Sequence, residues 1–225
     1  MAELIETWSS EAFEEDSMTD EHLWIWREMI ASVPADLRAA KVLDVGCNQG
    51  GFLRELYDTK PFAEGIGIDL AEKAVALAEQ RKANRPLRYV AATDLSEAGG
   101  GFDIAFSHEV IYLIEDLSEH ARQIAQALKP GATYNAVTCC HSDNPLWSRW
   151  RPMIKEFSNL DVPDHSVGEI AAAFRSAGLL VSIARFLAAS PIPVEGPSRY
   201  FPSDVDRIEV YGRWKLMFTA RRPTT

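Results

Sequence analysis

Residues 42–51 read Val42-Leu43-Asp44-Val45-Gly46-Cys47-Asn48-Gln49-Gly50-Gly51. A short apolar strand passes into a tight, glycine-bearing turn with an acid beside it, and the pattern predicts a helix over 52–57. A second acid, Asp69, ends the next apolar run, Gly65-Ile66-Gly67-Ile68-Asp69. Strand, glycine turn, helix, strand and terminal acid describe a nucleotide-type cofactor site at the carboxyl edge of a parallel sheet.

The turn discriminates between ligands. A dinucleotide site wants glycine at the first, third and sixth turn positions, so that backbone can approach a pyrophosphate. Those positions hold Gly46, Asn48 and Gly51. Asn48 puts a side chain where bare backbone is needed, and Asp44 sets a carboxylate against the ligand, which suits a cation better than a phosphate. S-adenosylmethionine, with a sulfonium, an ammonium and no phosphate, fits that chemistry better than NAD.

Asp44-x-Gly46-x-Asn48-x-Gly50 resembles motif I of the class I S-adenosylmethionine-dependent methyltransferases, usually acid-x-Gly-x-Gly-x-Gly, and departs from it at Asn48. Asp69 resembles the acid that accepts both ribose hydroxyls in that family. Thr93-Asp94-Leu95 resembles the acid that meets the adenine amino group. Phe102 to Ser107 is similar to the family's fourth strand, and Leu128-Lys129-Pro130-Gly131-Ala132 to the turn into its fifth. The likeness covers 37–140 in detail and 166–221 in layout. It implies an α/β fold: a Rossmann-like, seven-stranded, mostly parallel sheet sandwiched by helices, its last strand antiparallel. It also implies S-adenosylmethionine as cofactor and S-adenosylhomocysteine as product.

Length and charge agree with one such domain over 1–225. The balance of 23 basic against 33 acidic residues leaves a net charge of −10. That argues against nucleic acid, whose binders neutralise phosphates. Arg149, Arg151 and Lys155 cluster, as do Arg213, Lys215, Arg221 and Arg222, and both groups read as solvated faces and strand ends. The three cysteines include the adjacent Cys139-Cys140 and make no disulfide framework. With no signal segment and no membrane-length apolar run, a cytoplasmic protein without a membrane partner is expected. A homodimer is left open.

Along the chain, 1–19 are acidic without a clear period and form, through residue 35, an N-terminal lid segment. Asp20 is a candidate cap for a helix over 21–32. Strands are expected at 41–45, 65–69, 87–92, 102–107 and 132–139, with helices at about 71–83 and around Leu117, Ala121, Ile124 and Leu128. Residues 141–165 and 188–212 read as substrate-side insertions with little period. Between them Ser166-Val167-Gly168-Glu169 forms a capping box, and Gly178 ends its helix before a β-rich run. Trp214, Leu216, Phe218 and Ala220 alternate in a last strand.

The candidate cofactor-binding residues are Asp44, Gly46, Cys47, Asn48, Gly50, Asp69, Leu70, Asp94, Leu95 and Ser107. Cys47 and Asn48 serve through backbone, and Asp94 could instead simply cap a turn. The candidate catalytic residues are His108 and Glu109 after the fourth strand and His141 after the fifth. Tyr112 is either a neighbour of this group or core. No pair of ligands has a tight zinc-type spacing, and no metal is expected; a magnesium site on Glu109 and Asp143 is a minor alternative. Asn144-Pro145-Leu146-Trp147 is similar to a nucleobase-methylase signature but falls one strand too late, and reads as a turn. Trp8, Trp24, Trp26, Trp147, Trp150, Phe157, Tyr200 and Phe201 either pack the extra segments onto the sheet or line a closed cavity. The expected activity is methyl transfer to oxygen or nitrogen of a small acceptor. The alternatives are an NAD-dependent oxidoreductase and a non-catalytic S-adenosylmethionine-binding regulatory module.

Overall fold

Four consecutive residues of the first strand, Val42 to Val45, are all buried, a run with no polar face. Such a strand must be covered on both sides, as in a parallel sheet flanked by helices. The computed structural model describes residues 12–158, 160–187 and 189–224. Trp8 lies outside them, and the side chains of Phe13 and Phe157 are likewise not described.

The element order is α1 (Ala12–Ser32), β1 (Leu37–Val45), α2 (Gly51–Thr59), β2 (Phe62–Asp69), α3 (Glu72–Arg81), β3 (Leu87–Ala91) and β4 (Phe102–His108). It continues with α4 (Leu117–Ala127), β5 (Leu128–Thr138), α5 (Trp147–Ser158), α6 (Val167–Ser176), β6 (Leu180–Arg185), α7 (Asp204–Glu209) and β7 (Leu216–Arg221). The strands form a seven-stranded sheet in the order β3-β2-β1-β4-β5-β7-β6. β1 runs parallel to β2 and β4, whereas β7 is antiparallel to both of its neighbours.

The chain forms two compact units. The first runs to Phe106 and includes Gln126–Ala132. In it β1 pairs in register with β2 (Val45 opposite Ile68) and with β4 (Asp44 opposite Phe106). The strand order reverses between β1 and β4, and ligands of open α/β sheets bind outside the carboxyl ends of strands at such a switch point. Asp44 stands there. Leu53 and Leu56 of α2 pack with Val42, Leu43 and Ile66 in a fully buried core.

The second unit holds Ser107–Ala125 and Thr133 onward. Its core is aromatic: the Tyr134 ring lies against His120 of α4 and Phe174 of α6, all edge-on. Ser166 caps α6 through the reciprocal bonds with Glu169 that the sequence predicts.

Some boundaries differ from expectation. α1 begins at Ala12, so Asp20 lies within the helix and does not cap it. β5 starts at Leu128, with Pro130 and Gly131 inside it; Gly131 has φ 84°, which spares the chain a break. Residues 141–165 contain α5, with Pro152 in its interior. No helix among the described residues is long and apolar enough to cross a membrane.

Candidate functional site

In the first unit β1 ends in a turn that only a few residue types can make. Gly46, Asn48 and Gly50 all have positive φ, at 72°, 46° and 75°. Asparagine is among the few non-glycine residues that tolerate this region, so Asn48 replaces the usual middle glycine without changing the path. A Cβ on Gly50 would come within 2.4 Å of the Tyr89 ring, whose hydroxyl donates to the Gly50 carbonyl at 3.1 Å. Gly46 and Cys47 donate their N–H groups to the Ile68 carbonyl, pinning the turn to β2.

Asp69 joins two turns. Its Oδ2 accepts the N–H of Asn48 at 2.8 Å, and its Oδ1 accepts that of Ala71 at 2.9 Å. Burial pushes its carboxyl up, and the N–H groups of Ala71, Asn48 and Leu70 oppose that rise. Asp44 is 3% exposed. Burial, and then the charge of Asp69, push its carboxyl well above the usual range. The Oδ1 of Asn48 is buried without a hydrogen-bond partner. A ligand that brings a positive charge and donor groups relieves all three features, whereas a pyrophosphate adds to the repulsion. The residues fit S-adenosylmethionine.

The remaining predicted contacts separate. The side chain of Asp94 accepts the N–H of Ser96 and caps a short turn, Leu95–Ala98, in which Leu95 is buried; Asp94 itself is exposed. Leu70 is half-buried beside Asp69. Ser107, in the second unit, is buried, and its hydroxyl is bonded to that of Tyr134 at 2.6 Å. His120 reaches the same oxygen through Nε2 at 3.3 Å, and burial holds its imidazole down at about 4.

In the second unit Glu109 is held by several partners at once. It is a non-glycine residue at φ 53°, held there by its N–H bond to the Val137 carbonyl. Its Oε1 accepts from the Lys215 ammonium at 2.6 Å and the Cys139 N–H at 3.0 Å, and its Oε2 from the Thr138 hydroxyl at 2.7 Å. The Cys139 thiol adds a further contact at 3.2 Å. Burial alone would raise this carboxyl; the charge of Lys215 and these hydrogen bonds hold it at about 2. Lys215 in turn also lies 3.1 Å from Nε2 of His108. Burial favours the neutral amine, but the charge of Glu109 overrides it and keeps the ammonium above the ordinary lysine range.

Lys215 corrects the expectation of a solvated basic cluster, for it is only 2% exposed. It precedes β7, and its N–H closes a π-helical turn, Val210–Trp214, on the Val210 carbonyl. That turn, invisible to the alternation of β7, carries the ammonium inward. The signal available in sequence was a lysine flanked by Trp214 and Leu216, which is too common to single out.

His141 is fully buried, with Nε2 3.0 Å from the Trp214 carbonyl and Nδ1 without a hydrogen-bond partner, 3.9 Å from Asp143. Asp143 accepts the Val167 N–H. Glu109 and the thiols of Cys139 and Cys140 bring ligand atoms within 4.8 Å of one another, but Lys215 already occupies Oε1 of Glu109. Asn144 makes a turn before α5, accepting from Leu146 N–H and donating to the Cys139 carbonyl. Tyr112, Trp147, Trp150, Phe201 and Val210 form one buried cluster. These aromatics pack on each other, while Tyr200 is exposed. A cavity of about 550 Å³ runs along α5 between Asn144, Trp147, Arg151 and Asp164; Trp147 lines it as well as packing in the cluster, and none of the candidate cofactor-binding or catalytic residues does.

The family described as "Methyltransferase domain" matches residues 37–176. Among curated proteins, the ubiquinone biosynthesis O-methyltransferase of Rhizobium etli is 32% identical over 156 residues, 62% of this chain and 61% of that one. The malonyl-[acyl-carrier protein] O-methyltransferase of Enterobacter lignolyticus is 28% identical over 72% of this chain and 65% of its own. The chain thus spans less than two thirds of these relatives. Among solved structures, a chain from the complex containing the Haloferax volcanii Trm112 methyltransferase activator superposes with TM-score 0.81 at 25% identity, covering 95% and 96%. An S-adenosylmethionine-dependent methyltransferase from Mesorhizobium loti gives 0.66 at 20% identity over 89% and 97%, a likeness of fold alone.

Proposed function

Since the chain belongs to the methyltransferase-domain family, we propose that it is a class I S-adenosylmethionine-dependent methyltransferase and that it methylates oxygen or nitrogen of a small molecule. Asp44, Asp69 and the turn 46–50 would hold the cofactor, and the residues that follow β4 and β5 would serve the acceptor. The observation that carries the cofactor half is the buried Asp44 beside the half-buried Asp69, both with raised carboxyls, around a turn that holds Asn48 where a pyrophosphate needs glycine. When bound, S-adenosylmethionine supplies a methyl group on a positively charged sulfur.

The side chains then divide the work. Asp44 answers positive charge, and Asp69 accepts hydroxyl hydrogen bonds while keeping the two turns together. Asp94 keeps its turn in place and leaves Leu95 to offer an apolar surface. Glu109, held near 2, is ionised at neutral pH and anchors Lys215; a carboxylate so fully bonded is a poor base. His108 is the residue assigned to the acceptor. A methyl transfer draws mainly on alignment and on exclusion of water. The names of the relatives, one acting in ubiquinone biosynthesis and one on a malonyl carrier protein, support oxygen acceptors, and a wheat relative named as a phosphoethanolamine N-methyltransferase supports nitrogen.

The test is calorimetric titration with S-adenosylmethionine, S-adenosylhomocysteine and NAD, followed by a screen of small hydroxyl and amine acceptors with labelled methyl donor. Binding of the first two without NAD, and label transfer to a small molecule, is the expected result. Label found only in protein would overturn the small-molecule reading.

A further inference from the structure

We propose that Lys215 is a positioning residue for the reaction: its ammonium holds His108 as the Nδ1–H tautomer, so the acceptor must arrive with its lone pair already available. This rests on the methyl-transfer reading and on the place of His108 in it.

An ammonium has three N–H donors and no acceptor. The contact at 3.1 Å between Lys215 Nζ and His108 Nε2 therefore requires the imidazole nitrogen to accept. A neutral imidazole that accepts at Nε2 carries its proton at Nδ1. Lys215 cannot drift from this task, because Glu109 holds it at 2.6 Å and Glu109 is itself fixed by Thr138, Cys139 and the Val137 carbonyl. Among the described residues, the titratable groups around the pair include Cys139 and Cys140 beyond β5, Tyr112 beyond β4, and Tyr211, whose ring centre is 5.6 Å from Nζ. Burial pushes Tyr112 well up and Tyr211 up to about 12, and Cys140 is raised through its bond to Cys139, so these three are neutral near pH 7.

The consequence is chemical. With Nε2 engaged, His108 takes no proton there, and any proton it shares with an acceptor is one it donates from Nδ1. The fitting acceptors are then a hydroxyl acidic enough to be ionised near neutral pH, or an amine present as its free base. For the ionised hydroxyl the oxygen lone pair would form the new bond to the methyl carbon as the carbon–sulfur bond breaks and its electron pair stays on the neutralised sulfur, and no proton would remain to be placed. For the amine the surplus proton on nitrogen is lost to water after the bond has formed.

The full-length protein, labelled with ¹⁵N, reports the tautomer by long-range ¹H–¹⁵N correlation of its histidines at pH 7, His108 being assigned from the signal missing in His108→Gln. The expected pattern at pH 7 is a protonated Nδ1 and a bare Nε2. Lys215→Arg, which keeps a charged donor, retains it. Lys215→Met shifts the proton to Nε2 or brings in a titration near about 6.5. It also lowers turnover by about tenfold, with cofactor affinity within about twofold of wild type. An Nε2–H or doubly protonated His108 in the wild type, or an unchanged tautomer in folded Lys215→Met, overturns the proposal. If Lys215→Met does not fold, the wild-type and Lys215→Arg spectra decide it. A wrong tautomer in a protein that binds S-adenosylmethionine sinks the lock alone; a wild type that binds no cofactor sinks the methyl-transfer reading, and Lys215's part in it.

Discussion

Removing the ammonium of Lys215 tests how the second unit is held together. The carboxyl of Glu109 drops from an ordinary 4.5 to about 2 against the opposing effect of burial. At 1.36 kcal/mol for each pH unit, that drop is worth about 3 kcal/mol. With the Glu109 side chain 17% exposed and that of Lys215 2%, solvent screens the pair little. Lys215→Met at pH 7 strands a buried carboxylate, a change that costs about 3–5 kcal/mol in comparable pairs. Because the folded value is depressed, the stabilisation is fully present above about 4.5 and is lost as pH falls through about 2. Urea denaturation of the wild type, Lys215→Met, Glu109→Gln and the double variant closes the cycle. We expect Lys215→Met to lose about 3 kcal/mol at pH 7 and the double variant to recover at least half of it, since no charge is then left unpaired. A loss below about 1 kcal/mol, or a double variant as unstable as the sum of the singles, would refute the reasoning.

Three other outcomes follow from single side chains. Asp69→Ala should weaken S-adenosylmethionine binding by about tenfold or more and also cost about 1–3 kcal/mol, because the N–H groups of Asn48 and Ala71 lose their acceptor; calorimetry with a thermal melt shows a fault if affinity is unchanged. Asp44→Asn should lower affinity yet leave the ligand-free protein as stable or more so. The carboxyl's raised value means its favourable contribution is complete below about 3.9 and is lost as pH rises through the folded value, so a variant clearly less stable at pH 7 contradicts the account. His120, held at about 4 by burial against an unfolded value near 6.5, contributes stability that is present above about 6.5 and lost toward pH 4, roughly 3 kcal/mol in all. His120→Phe should flatten that part of the pH–stability curve, and an unchanged slope between pH 6.5 and 4.5 would count against it.

The turn proposed to hold the cofactor was legible because its geometry is local. Asp44, Gly46, Asn48 and Gly50 lie within seven residues, their backbone angles demand particular residue types, and Asp69 ends the very next strand. The capping box at Ser166 and Glu169 was readable for the same reason. Helix and strand limits were less so: α1 and β5 both begin earlier than the pattern suggests, because the ends of an element are the part least firmly encoded in a local pattern.

Residues 141–165 read as having little period, yet α5 within them sets Trp147, Trp150 and Ile154 at helical spacing against one aromatic cluster, with Pro152 in its interior. The aromatic segments could have lined a cavity or packed on one another. Tyr112, Trp150 and Phe201 pack together, whereas Trp147 does both, joining their cluster and lining the cavity along α5, a matter of tertiary contact alone.

By itself the order of residues determined the parallel sheet and the glycine turn with its acids, and it suggested the phosphate-free ligand proposed for them. These follow from periodicity, backbone sterics and charge within short stretches of chain. Only the tertiary structure decided what the polar residues after β4 do. Glu109 and Lys215 are 106 positions apart, and the same lysine that reads as a solvated strand end becomes a buried ammonium once a π-helical turn carries it inward. The state of His108 is then set by a donor that no local pattern connects to it.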